Sequence, residues 1–325
     1  MENRHSIKAV ASRTGLSPHV IRVWERRYGA VKPARTDTNR RLYSDQDIER
    51  LRLLRQATLA GESIGQIAGL STEDLRRLLP EDEPHEVLTG TADDSDSRAD
   101  FYLRLSMEAV LKMDMGDLES TLLKAYVSLG QPLVLEKVVR PFLQRIGEMW
   151  EDGSLKVMHE HMVSAVVRTF LGHMVSSGLL DPTAPALVAT TPAGVVHEFG
   201  ALMAAVIAAA RGWRAIYLGP NSPAQDIAVA AAQSNARAVA LSIIYPADDP
   251  QVKDELRHLG QLLEPGVNIL VGGRCAPSYM DVLDEIGARL VPDMGELDRR
   301  LATLNAARMA AIERGRRTGN REVDS

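Results

Sequence analysis

His197 is the residue in this chain whose type and setting best suit chemistry. It follows an apolar run, residues 186–191, and opens an alanine-rich stretch of helical period that contains Gly200. Ser242 closes a second apolar run, and Gly272 with Gly273 closes a third. A parallel α/β sheet binds ligands beyond the carboxyl ends of its strands, and those ends carry the histidine, the serine and the glycines. A neutral imidazole in a strand-to-helix loop can ligate a metal. Gly194 permits the turn before it, and Gly200 allows close approach to the helix start. Ser242 can bond to a group buried between strands, while the glycine pair lets a bulky ligand rest on backbone. Upstream, nine residues separate Trp150 from the pair Glu160-His161. Val157, Glu160, His161 and Ser164 recur at helical spacing and share a face. Glu160 and His161 would be unfavourable in a dry core unless paired. A lone histidine at a strand end is more often structural; together, these residues fit a flat, metal-bearing macrocycle reached by His197 and covered by Trp150.

The elements that must position them follow from periodicity. Strands are expected at 186–191, 214–218, 238–243, 267–271 and 288–291, alternating with helices at 198–211, 223–234, 250–263 and 277–286. That alternation predicts a Rossmann-like, doubly wound parallel sheet within residues 183–300. Residues 101–182 show helical periodicity in about four segments, broken at 114–116, 130–132 and 153, and read as a helical bundle. Residues 301–325 form a helical tail. Residues 80–100 are acidic and poor in apolar anchors, which predicts a flexible linker. The fold class is therefore multidomain α plus α/β.

The first 79 residues are different in charge. Residues 1–77 hold 15 Lys/Arg against 9 Asp/Glu, whereas the remainder holds 23 against 34, within a net charge of −5. A basic head on an acidic body points to a local polyanion site. Ser17 and Pro18 supply a helix N-cap and first position. The helix from Pro18 to about Arg27 places Val20, Ile21 and Trp24 on one side and Arg22, Arg26 and Arg27 largely on another. Arg35, Arg40, Arg41 and Tyr43 fall on a hairpin wing. A helix-turn-helix inserts its second helix in the major groove, with backbone contacts from flanking elements. Double-stranded operator DNA is the expected partner.

The run Val20-Ile-Arg-Val-Trp-Glu-Arg-Arg-Tyr-Gly29, with Pro33-Ala-Arg35 and Asn39-Arg-Arg-Leu-Tyr43, resembles the winged helix of the MerR family of transcription regulators. By that resemblance the second helix and wing, with Tyr28 and Tyr43 among their residues, contact operator DNA, and the protein acts as a dimer or higher oligomer. The histidine, spacer, glycine, serine and glycine pair resemble the cobalamin-binding Rossmann-like domain. This implies that His197 is the lower axial ligand to cobalt and that Ser242, Gly272 and Gly273 flank the nucleotide tail. Where that family often places an acidic residue, two positions before the histidine, this chain has Val195. Trp150, Val157, Glu160 and His161 resemble the cap bundle of the CarH and LitR group of light-sensing regulators. There, by resemblance, the tryptophan shields the upper face of adenosylcobalamin, and the glutamate and histidine contact its adenosyl group. Glu151 stands where some of the group carry a histidine.

No segment approaches the roughly 18 apolar residues of a membrane span, and a single cysteine, Cys275, excludes an internal disulfide framework. A cytoplasmic location with no membrane partner is expected. The sequence thus reads as a repressor-type regulator, not an enzyme, that assembles into dimers or tetramers under control of adenosylcobalamin and light. Two alternatives stand beside it. One is a regulator governed by a partner protein, with a degenerate cofactor site, as Val195 and Glu151 allow. The other is a corrinoid-dependent enzyme, against which the DNA-binding head argues.

Overall fold

The computed structural model describes residues 4–36, 40–59, 62, 64–78, 92–176 and 183–319. The chain divides into two compact units, Met1–His173 and Met174–Ser325.

In the first unit, α1 (Ile7–Thr14) stops at Gly15, whose φ of 68° only glycine adopts readily. The Ser17 hydroxyl accepts the Val20 N–H at 3.2 Å and Pro18 starts α2 (Pro18–Tyr28). β1 (Ala34–Arg35) and β2 (Arg41–Leu42) pair antiparallel as the wing. At the start of α3 (Asp45–Leu59), Ser44 and Asp47 cap each other: the Ser44 N–H donates to the Asp47 carboxylate at 2.9 Å and the Asp47 N–H to the Ser44 hydroxyl at 3.1 Å. α4 (Ile64–Ile67) and α5 (Thr72–Leu78) complete the head. Arg50 donates to the carbonyls of Ala30 and Ala68, both at 2.6 Å, and so ties α3 to the loops that follow α2 and α4. Trp24, Ile21, Tyr43, Leu51, Leu54 and Leu75 fill the core.

Four helical segments follow, as the periodicity predicted. These are α6 (Ala92–Leu111), α7 (Met115–Leu129), the pair α8 (Gln131–Leu133) and α9 (Arg140–Glu151), and α10 (Val157–Ser176). α8 and α9 join through a π turn, Val134–Val139, in which the Arg140 N–H reaches back to Leu135. Pro141 follows, lacking the N–H a regular turn would use.

The expected linker is partly overturned. Its first part, 80–91, lies outside the described residues, but residues 92–100 are the opening turns of α6. The acidic composition that suggested disorder is held by partners: Asp96 pairs with Lys137, Arg98 reaches the Ser128 carbonyl at 3.4 Å, and Ala99 is buried. Carboxylates at a helix start are also favoured by its dipole.

The second unit alternates β3 (Ala186–Thr190), α11 (Phe199–Ala210), β4 (Arg214–Tyr217), α12 (Ala224–Ser234), β5 (Ala236–Ser242), α13 (Pro250–Leu262), β6 (Asn268–Gly272), α14 (Met280–Glu285) and β7 (Arg289–Val291), then α15 (Met294–Gly319). All five strands are parallel, in the order β4-β3-β5-β6-β7. Every residue of β3 is buried, as a strand covered on both faces requires. Val188, Val239, Leu241 and Val271 pack with Ile227, Leu256 and Val282 from α12, α13 and α14. An ion pair between Arg211 and Asp298 holds α15 to the end of α11. The chain leaves β3 towards β4 on one side and returns to β5 on the other. The switch point of the sheet therefore lies between the ends of β3 and β5, where such sheets bind ligands.

Candidate functional site

The loop after β3 carries His197 to that switch point. Its backbone is clasped by the loop after β4. The Asn221 side-chain carbonyl accepts the Gly194 N–H at 2.8 Å, the Asn221 N–H donates to the Thr191 hydroxyl at 2.8 Å, and Thr191 in turn donates to the Val195 carbonyl. Asn221 adopts φ 59° and Gly194 φ 88°; asparagine tolerates that left-handed region better than most residues. Nothing in the sequence signals this clasp, because its partners lie about thirty positions apart.

Val195 is fully buried in the apolar core, whereas His197 is exposed. Glu198 is buried and its carboxylate accepts the Tyr217 hydroxyl. Neither supplies a carboxylate to the imidazole, which makes no side-chain hydrogen bond among the described residues. Its aromatic neighbour is Tyr245, edge to face, with ring centroids 6.3 Å apart.

Ser242 ends β5 with its hydroxyl buried and, among the described residues, without a hydrogen-bond partner. Buried hydroxyls are seldom left so, and a bonded ligand group would satisfy it. A Cβ on Gly200 would lie 2.2 Å from that hydroxyl, so the glycine makes room for Ser242 as well as for the helix start. The glycine pair also has a local role. At Gly273, φ is 106° and a Cβ would meet the Ile243 carbonyl oxygen at 2.4 Å; at Gly272 it would meet that of Val291 at 3.0 Å. An exposed nitrogen donor, an orphaned hydroxyl and side-chain-free backbone at one sheet edge fit a planar cofactor carrying its own metal.

In the bundle, Trp150 sits in the last turn of α9, half exposed, and Val157 begins α10, also exposed. Glu160 accepts the Ser164 hydroxyl at 2.6 Å, and His161 lies 3.7 Å from the Glu160 carboxylate. These residues occupy the outer face of α10, while Met162, Val163, Val166, Val167 and Phe170 fill the inner one. Trp150, Val157 and Met158 leave large apolar side chains in water around one helix corner.

The DNA-binding set separates. Arg26, Arg35 and Arg40 are exposed, and Arg22 is half buried; burial first, and the neighbouring Arg41 charge second, lower its pKa. Tyr28 is half buried, with the Arg27 guanidinium 5.7 Å from its ring centre. One expectation is corrected. Tyr43 is fully buried, 3.3 Å from the Glu25 carboxylate, and its backbone pairs with His5. Burial pushes its phenol far above the ordinary range. Arg41 donates through Nε to both Glu25 oxygens, at 2.9 and 2.8 Å. Both residues fasten the wing to α2; Tyr43 is shut off from DNA, whereas Arg41 stays partly exposed. Arg27 is exposed but pairs with Glu119 of α7, and Tyr126 of α7 hydrogen-bonds Ser17, contacts between head and bundle that the sequence did not signal.

Family models match three stretches of the chain. The model described as MerR HTH family regulatory protein matches residues 5–78. B12 binding domain models match residues 185–292 and 107–174. The HTH-type transcriptional repressor CarH of Myxococcus xanthus is 29% identical over 302 residues, covering 93% of this chain and 99% of that protein. The repressor CarA of the same organism is 25% identical over 292 residues, covering 90% and 94%. Among solved structures, the monomethylamine corrinoid protein of Methanosarcina barkeri is similar over 64% of this chain and 98% of its own, at 16% identity and a TM-score of 0.47. No helix among the described residues is long and apolar enough to cross a membrane.

Proposed function

We propose that this chain, which joins a MerR-type head to two B12-binding segments, is a cytoplasmic transcriptional repressor whose assembly and operator binding are set by adenosylcobalamin. The observation that carries the cofactor reading is the orphaned Ser242 hydroxyl at the sheet switch point, at the end of the strand beside the one that delivers His197. In this reading His197 would hold cobalt through its exposed nitrogen, Ser242 would bond the nucleotide tail, and Gly272 and Gly273 would let that tail lie on backbone. For the bundle, Trp150, Val157, Glu160 and His161 would be the residues to contact an adenosyl group, the indole excluding water. When bound, the cofactor supplies a light-sensitive cobalt–carbon bond. Arg22, Arg26, Arg35 and Arg40 then read operator DNA from paired heads of a dimer or tetramer. Similarity to repressors over nearly the whole chain supports regulation rather than catalysis.

Control by a ligand requires that it bind the assembled state more tightly than the separate one. Protein mixed with adenosylcobalamin in the dark is expected to retain corrinoid absorbance after desalting and to elute as a larger species, reverting on illumination. Absence of bound corrinoid would remove the cofactor reading. A cobalamin-independent regulator is the second reading, favoured by the buried Val195. It requires equal DNA affinity with and without cofactor, in dark and light.

A further inference from the structure

The Asn221 clasp fixes the backbone before His197, but nothing in that clasp fixes the imidazole. Val195 points its side chain into the apolar core, and the Glu198 carboxylate is engaged by Tyr217. The histidine ring is exposed and without a hydrogen bond among the described residues, so its two side-chain torsions would be free in water. Among the described residues one aromatic ring lies against it. Tyr245 follows β5 by three residues, is 62% exposed, and stands at 80° to the imidazole plane with ring centroids 6.3 Å apart. That is the edge-to-face geometry aromatic rings prefer. A large aromatic left so exposed is not placed there by the core; Ile243, two positions before it, is fully buried in the core that Tyr245 leaves.

We propose that Tyr245 is a positioning residue, holding the His197 imidazole by ring contact in the orientation that presents its nitrogen beyond the sheet edge. It does for this histidine what a hydrogen-bonded carboxylate does for other ligating histidines: it restricts the ring before the metal arrives, so less freedom is lost on binding. The contact rests on the ring quadrupoles, edge against face, so phenylalanine serves as well as tyrosine, and an aliphatic residue, which has no ring, does not. The inference rests on the reading of His197 as a ligand.

The test compares Tyr245→Phe, Tyr245→Leu and His197→Ala in the full chain. It uses the carbon-bound ring protons of His197 in the cofactor-free protein, read by NMR, and affinity for hydroxocobalamin, read by absorbance titration. Tyr245→Leu is expected to move and broaden the His197 signals and to weaken hydroxocobalamin roughly 3- to 10-fold, the range of one aromatic pair. Tyr245→Phe is expected to keep the wild-type line shape and affinity. If His197→Ala weakens binding but Tyr245→Leu leaves signals and affinity at wild-type values, the positioning role is overturned and the ligand reading stands. If His197→Ala leaves affinity unchanged, the ligand reading falls first.

Discussion

At the scale of single residues, the site is a set of local exceptions to good packing. The Ser242 hydroxyl lacks a partner among the described residues, so its presence is a burden on the fold and an advantage only to a ligand. Ser242→Ala is accordingly expected to leave the cofactor-free protein as stable or more stable, by up to about 1 kcal/mol in denaturant unfolding, and to weaken cobalamin binding. Gly200→Ala should do the opposite to stability. Its methyl meets the Ser242 hydroxyl, and overpacking of this kind costs about 1–3 kcal/mol; adding Ser242→Gly should recover most of it. The residue-scale errors of sequence reading have one cause. Tyr43 follows two arginines on a wing and so looked like a nucleic-acid contact, yet burial against Glu25 depends on the tertiary path of α2 and β2. Glu119 beside Arg27, Tyr217 beside Glu198 and Tyr245 beside His197 are separated from their partners by 92, 19 and 48 positions. No periodicity links such pairs.

At the scale of elements, the head shows which arginines serve the fold and which remain for a ligand. Arg41→Ala should lower the head's thermal stability by about 1–3 kcal/mol, because the half-buried Glu25 carboxylate loses its charged donor. Arg26→Ala should leave stability within about 0.5 kcal/mol, weaken DNA binding, and reduce the slope of log affinity against log salt by about one. Arg27 lies between these cases. Its ion pair with Glu119 of α7 occupies a guanidinium on the recognition helix, so a DNA phosphate must compete with that carboxylate. Glu119→Gln is expected to tighten DNA binding a few-fold at low salt, in keeping with the small worth of exposed pairs, and filter-binding or fluorescence titration would measure it. Element existence was readable because helices and strands here carry strong periodic apolar runs. The start of α6 was not, since its anchors, Lys137 and Ser128, lie on other helices.

At the scale of the whole molecule, the basic head, four-segment bundle and parallel sheet were legible in order because each has its own composition and period. The finer organisation was not: head and bundle form one compact unit, and the sheet with its terminal helix forms another. Cofactor binding should raise stability by mass action, about 2.7 kcal/mol at 100 times the dissociation constant, and a thermal melt should lose that increment in His197→Ala. The proposed control by cofactor depends on one bond, from the His197 nitrogen to cobalt. The most direct measurement is electron paramagnetic resonance of the protein loaded with cob(II)alamin, with histidine ring nitrogens labelled as nitrogen-15. The account predicts that each cobalt hyperfine line, a triplet with ordinary nitrogen, becomes a doublet in the labelled protein, and that this coupling vanishes in His197→Ala. A triplet that persists despite the label, or a spectrum identical in His197→Ala, would contradict it.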